Sequence, residues 1–391
     1  MLVIIINYGG YEWEAMKSNH NHENLSRVMS TRALNRTLLA RQLLIKRSNM
    51  STPDVLEHLI GMQSQTPNSP YVSLWTRIDN FKHETLSQLL LNRNAVRIAL
   101  MRSTIFLVTK RDCLALRPLI QPVLDRTLKA NFGRRLKDVD NNELAKISRD
   151  LVESQPRTLE ELGKLLKEKW EDKDPSALAA AARNLVPLVQ IPPRGIWGAK
   201  GKAIHASAED WLCQSLVTNY SLESLILRYL KAFGPATISD IQTWSGLTKI
   251  RKVIEGLRLQ LNTFFDEDGN ELFDVSHAEY PDIDTPVPVR FLAEFDNILL
   301  SHKNRTRIIA DEYRSRVFTV NGIIKATFLI DGYVQGLWRI EQKRKSSTLI
   351  IEPFKSLLQV DKDELAIEGA KLMDFVAPDS KVRDIQFSAP V

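Results

Sequence analysis

Hydrophobic residues first recur at helical spacing through Leu38, Leu39, Leu43 and Ile45, with Gln42 in the same stripe, and again at Val55, Leu56, Leu59 and Ile60. Apolar positions three and four apart line one face of a helix, so two helices are predicted here. Thr52-Pro53-Asp54 opens the second. Thr52 is the expected N-cap, Pro53 fits a first turn that needs no donor, and Asp54 faces the positive end of the helix dipole. Val72 to Ile78 and Thr85 to Leu91 continue as helices, whereas Val96 to Leu100 and Thr104 to Val108 read as strands joined across Met101-Arg102-Ser103.

Short helices followed by a hairpin are the order of a winged helix, and the pattern returns twice. Glu143 to Val152 is helical, Thr158 and Glu161 form a capping box for a helix reaching Trp170, and Pro175 opens another through Arg183. Val186 to Ile191 and Ile204 to Ala206 are the strands of this copy. In the third, Leu222 to Ala232 stops at Gly234-Pro235, Thr237 caps Ile238 to Trp244, Ser245-Gly246-Leu247 turns, and Thr248 caps Lys249 to Leu259. That is helix-turn-helix spacing, followed by a hairpin of Thr263 to Phe265 and Glu271 to Asp274 around Asp268-Gly269-Asn270.

A proline-bearing linker leads to three expected antiparallel strands, Gly322 to Ile330, Gly332 to Glu341 and Ser347 to Glu352, and a closing helix over Asp363 to Val376. The expected fold class is α+β. Its tandem winged helices occupy 30–138, 139–216 and 217–280, with a linker at 281–289 and a β-rich segment at 290–391. Residues 1–28 have the composition of a disordered extension, and Met29 stands just before the first helical stripe.

Composition is that of an ordinary soluble chain, with 43% hydrophobic and 26% charged residues in 391. The apolar run from Leu2 to Ile6 is far short of the roughly 18 residues that span a bilayer, so no membrane segment and a cytoplasmic location are expected. Cys113 and Cys213 lack metal-ligand spacing and read as small core residues. A net charge of +6 matters less than its distribution. Arg102, Lys110, Arg111, Arg117, Arg126, Lys129, Arg134, Arg135 and Lys137 face only Asp112 and Asp125, the footprint of phosphate contacts. Lys343-Arg344-Lys345 adds a basic hairpin tip. Double-stranded DNA is the expected partner and a monomer the expected state; no zinc spacing, phosphate-cradling glycine loop or nucleophile elbow is present, and neither metal nor cofactor is expected.

The candidate chemistry lies in Gly61-Met62-Gln63-Ser64-Gln65-Thr66-Pro67. A residue before proline is pushed toward extended geometry, and in an extended segment Gln63 and Gln65 project from the same side. The plainer alternative is a pair of polar residues wetting a helix C-terminus.

These residues resemble the winged-helix DNA-binding proteins of the AlkZ type, a family that includes bacterial glycosylases acting on crosslinks and alkylated purines. The resemblance rests on His58-Leu59-Ile60-Gly61-Met62-Gln63-Ser64-Gln65, on Val96-Arg97-Ile98-Ala99-Leu100-Met101-Arg102-Ser103-Thr104, and on Phe291-Leu292-Ala293-Glu294-Phe295-Asp296-Asn297 followed by Arg305. It implies that the family's Gln-x-Gln catalytic pair falls on Gln63 and Gln65 and that no metal is used. Two positions depart from the family pattern: Ser64 stands where a hydrophobic residue is usual, and Phe106 where many relatives carry histidine. His58, Asp296 and Arg305 are candidates for supporting the site, with Asp296 and Arg305 expected to pair. A neutral amide is too weak a base to deprotonate water, so a glutamine pair implies a substrate whose base leaves readily, a cationic alkylated purine. The alternatives are a winged-helix DNA-binding protein without catalysis, such as a regulator, and a protein-interaction module.

Overall fold

The computed structural model describes residues 27–344 and 346–390. It is a mixed α+β structure with three sheets. The largest has six antiparallel strands in the order Met62–Gln63, Ile105–Thr109, Ala95–Ala99, Leu188–Gln190, Ile204–Ser207, Arg157–Thr158. Both expected hairpins are present, and the pairing of Ala95–Ala99 with Leu188–Gln190 joins them edge to edge. Residues 30–138 and 139–216 thus share one sheet. The strand Met62–Gln63 is its edge.

A second sheet of three strands contains Leu261–Asp266 and Glu271–Val275, the hairpin expected there, with Arg27–Met29 added parallel to the first. This corrects the expected disordered extension at its end: Arg27 and Val28 are part of a strand, paired with Phe264 and Phe265. Composition could not show this, because a strand of three residues has too few positions to reveal a period. The rest of that expectation, residues 1–26, lies outside the described residues.

The third sheet has five strands, Arg290–Leu292, Thr327–Ile330, Tyr333–Gln342, Ser346–Pro353 and Val382–Phe387; all neighbours are antiparallel except the last pair, which is parallel. Burial alternates strictly along Ser346–Pro353 because only one face of that strand meets the helix Gln359–Val376.

Two caps differ from expectation. Ser51, not Thr52, is the N-cap of the helix Thr52–His58: its hydroxyl accepts from Asp54 N at 3.3 Å, and Thr52 is already helical. Lys249, in the left-handed region at φ 64°, replaces Thr248 ahead of Ile250–Leu257, with no side-chain cap. The capping box at Thr158/Glu161 is as expected, and Thr237 caps its helix as expected, with Asp240 completing a second box.

The helix Thr31–Arg41 ties distant parts together. Arg41 grips Asp274 with two bonds of 2.8 Å, Gln42 Nε2 donates to Ala232 O at 2.7 Å, and Asn35 Nδ2 donates to the carbonyls of Arg307 and Gly332 at 2.7 and 2.9 Å. Gly332 is needed there, since a Cβ would stand 2.4 Å from Leu39 Cδ1 and its φ is 79°. Leu38 and Leu39 accordingly share one core with Phe106, Tyr229, Phe233, Trp244 and Leu329.

Candidate functional site

The glutamine segment is built by a helix stop and two flanking partners. After Thr52–His58 the backbone turns through Ile60 at φ 56° and Gly61 at φ 81°. Only glycine fits the second position, where a Cβ would lie 2.5 Å from Val108 Cγ1 and 2.8 Å from Leu107 O. The chain then runs extended: Met62 and Gln63 pair with Leu107 and Phe106, and Ser64 N donates to Ile105 O at 2.7 Å. On the other edge Asn297 substitutes for a strand, its Nδ2 donating to Gly61 O at 2.7 Å and its Oδ1 accepting from Gln63 N at 3.3 Å. Extended geometry alternates side chains, and Ser64 is buried against Arg97. Gln63 is also buried, whereas Gln65 is exposed at the turn that follows.

Arg102 meets Gln63. It sits in the connection between Ala95–Ala99 and Ile105–Thr109, where Arg102 and Ser103 take φ of 55° and 58°. Its Nη2 donates to Gln63 Oε1 at 2.7 Å and its Nη1 to the Trp244 carbonyl. Burial, with a smaller effect of the Arg305 charge, holds its pKa down to about 10. Expected as a phosphate contact, Arg102 has these two nitrogens committed inside the protein.

The expected ion pair between Asp296 and Arg305 does not form. Asp296 is buried and accepts from Arg77 Nη1 and Nη2 at 2.8 and 2.7 Å and from Ser73 Oγ at 3.1 Å. Its Oδ1 also caps Ile298 N at 3.2 Å, so its oxygens are taken by Arg77, Ser73 and its own chain. Arg305 lies instead over the Phe318 ring, 4.6 Å from its centroid. His58 bonds the Arg41 carbonyl at 2.6 Å, and burial lowers its pKa; among the described residues no hydrogen bond joins it to either glutamine.

The basic residues are spread widely. Lys110 and Arg111 begin the 23-residue helix Lys110–Phe132, and Arg134 and Arg135 follow its end, a separation of about 35 Å at 1.5 Å per residue. Arg111 pairs with Glu57, and Arg135 pairs with Asp174 at 3.0 Å. Lys110 and Arg111 line a cleft of about 870 Å³ with Tyr220 and Arg228. Lys343 and Arg344 are exposed, and Lys345 lies outside the described residues. Lys343 lines a cleft of about 590 Å³ together with Thr66, Glu294, Trp197 and Trp338.

Four residues near the site were given no part in it from sequence. Arg97 supports Ser64, Asn297 edges the glutamine strand, Glu294 Oε2 accepts from Thr66 Oγ1 at 2.7 Å, and Trp244 anchors Arg102. Arg97, Glu294 and Asn297 lie within runs already quoted for the resemblance, which was the available signal. Among the described residues no cluster of three or more metal-ligating side chains occurs, and no helix is long and apolar enough to cross a membrane.

Three kinds of comparison with known proteins each find a relative. The family described as DNA glycosylase AlkZ-like matches residues 56–375. The chain is similar to the interstrand DNA cross-link repair glycosylase of Streptomyces sahachiroi, 32% identical over 139 residues. That match covers 34% of this chain and 36% of the relative, so it spans only about a third of the relative's length. The fold is similar to that of Streptomyces sahachiroi DNA glycosylase AlkZ, with a TM-score of 0.73 and 21% identity, over 92% of this chain and 100% of the other. With the family match extending over most of its length, this chain belongs to the AlkZ-like DNA glycosylase family.

Proposed function

We propose that the protein is a monofunctional DNA glycosylase that hydrolyses the N-glycosidic bond of cationic, alkylated purines in duplex DNA, with Gln63 and Gln65 as the reacting pair. The observation that carries this reading is the mounting of the pair. The backbone from Gly61 to Ser64 is held by Ile105 on one edge and Asn297 on the other, which fixes Gln63 and presents Gln65 just beyond the held stretch. Such rigidity suits groups whose contribution is placement, because positioned water can supply most of the gain when the leaving group is good.

A purine alkylated on N3 or N7 carries a positive charge. When its bond to sugar C1′ breaks, the electron pair leaves with the base and cancels that charge. Water oxygen bonds to the cationic C1′ and releases its proton to solvent. An unmodified purine would leave as an anion and would need an acid that an amide cannot provide, so normal DNA is spared by chemistry rather than by a tight pocket. The same logic extends to an interstrand crosslink joined through purine nitrogens. The target nucleotide must leave the stack to reach Gln63 and Gln65. On this reading Ile238–Ser245, Ile250–Leu257 and the hairpin after them form one of three winged helices that support the duplex, with Arg251 and Lys252 exposed on the second helix.

The test is incubation with duplex containing N7-methylguanine, followed by alkaline cleavage of abasic sites. Strand breaks are expected. Binding without breaks would replace this reading with that of a non-catalytic DNA-binding protein.

A further inference from the structure

Building on the glycosylase reading, we infer that Gln63 and Gln65 have opposite polarity: Arg102 locks Gln63 as a hydrogen-bond donor toward the nucleotide, and Gln65 alone is free to accept from the attacking water. Arg102 is thereby a positioning residue.

The argument begins with what a guanidinium can do. It has five N–H groups and no acceptor, so whichever way an amide is assigned, only its oxygen can face one. Arg102 Nη2 lies 2.7 Å from the Gln63 amide, which therefore presents Oε1 to it. The guanidinium cannot easily follow a rotating glutamine, because Nη1 is held by the Trp244 carbonyl and the backbone of Arg102 is set in a tight left-handed turn. Gln63 is itself restrained, being 6% exposed with its main-chain N–H on Asn297.

The other end of the Gln63 amide donates to no group among the described residues. Its two N–H bonds are left for an acceptor from outside, and the sugar-phosphate oxygens of the target nucleotide are the acceptors that DNA supplies beside C1′. The Gln63 oxygen, meanwhile, already takes a charge-assisted bond and is a poor second acceptor for water. Gln65 differs on each count: it is exposed, and neither end of its amide is engaged within the protein among the described residues. Of the two amides, only that of Gln65 offers an acceptor that can turn toward a water hydrogen, and so aim the lone pair at C1′.

Two measurements test this. The lock is read without catalysis, from side-chain amide resonances of protein labelled with ¹⁵N-glutamine and assigned by substitution. Arg102→Met should displace the Gln63 pair and leave the Gln65 pair in place, with Arg102→Lys partly restoring the former. The polarity is read from single-turnover rates on N7-methylguanine duplex. Gln63→Glu keeps an oxygen on Arg102 but exchanges the outward donor for an acceptor, and should lose about 10²-fold or more. Gln65→Glu keeps an acceptor and should lose at least tenfold less than Gln63→Glu, or gain. An unmoved Gln63 resonance in Arg102→Met, or a Gln63→Glu enzyme faster than Gln65→Glu, overturns the inference. A parent protein that cuts nothing while Arg102→Met shifts Gln63 removes the glycosylase reading and supports the lock.

Discussion

Arg97 holds Ser64 with both terminal nitrogens, 2.6 Å from the hydroxyl and 2.8 Å from the main-chain carbonyl, while its Nε donates to Gln190 Oε1 at 3.1 Å. Arg97 is 2% exposed, and no carboxylate pairs with it among the described residues. Burial, reinforced by the Arg194 charge, holds its pKa down to about 10. The buried cation is balanced by dipoles, and two of them belong to the residue between the glutamines. Ser64→Ala removes one acceptor from a charged donor and should cost about 1.5–3 kcal/mol in chemical denaturation. A loss under about 0.5 kcal/mol would mean that the carbonyl alone satisfies Arg97.

The glutamines themselves should show a clean separation of rate from binding. Gln63→Ala and Gln65→Ala should each lower the single-turnover rate by about 10²-fold, equivalent to roughly 2.7 kcal/mol of barrier, with DNA affinity nearly unchanged. Equal rates in parent and both variants would sink the catalytic assignment.

His205, buried in the six-stranded sheet, has its pKa lowered to about 4, first by burial and then by the Arg183 charge. The unfolded chain takes up this proton below about pH 6.5 and the native state only near 4, so stability falls as pH drops through that window. The loss from pH 6.5 to 5 should be about 1.6 kcal/mol. Denaturation of the parent and His205→Gln at both pH values measures it: the variant should lack this part of the slope. His302, depressed by burial and by Arg307, acts in the same direction.

The strand Arg27–Met29 predicts a difference between two truncations. A chain beginning at Arg27 keeps the parallel pairing to Phe264–Asp266, and one beginning at Ser30 loses it together with the buried Met29, which packs with Leu34 and Leu272. The shorter chain should be less stable by about 2 kcal/mol, from one buried side chain. Equal melting temperatures would show that the strand adds nothing to the fold.

Salt dependence of duplex binding should distinguish free from paired cations. Each phosphate contact contributes about −0.9 to the slope of log affinity against log salt. Arg134→Ala and Arg344→Ala, at exposed residues without a carboxylate partner among the described residues, should flatten the slope by about one unit each. Arg111→Ala and Arg135→Ala should change it less, since Glu57 and Asp174 already hold those side chains. A slope unaffected by Arg134 and Arg344 would place the duplex elsewhere.

The sequence by itself determined the local elements. Capping boxes at Thr158 and Thr237, both hairpins of the large sheet, and an extended course through Gln63 and Ser64 follow from sterics and hydrogen bonding among residues a few positions apart. Tertiary structure alone decided which charges meet. Asp296 pairs with Arg77, 219 positions away, and not with Arg305, nine positions on; Arg102 turns inward to Gln63 instead of out to solvent. It likewise decided that the sheet of the first unit continues into the second and that Asn297 edges the glutamine strand. Periodicity says which face of an element is buried but not against what. A carboxylate or guanidinium, once desolvated, must bond whichever partner the chain path brings within about 3 Å, and that path is set by the packing of every core at once.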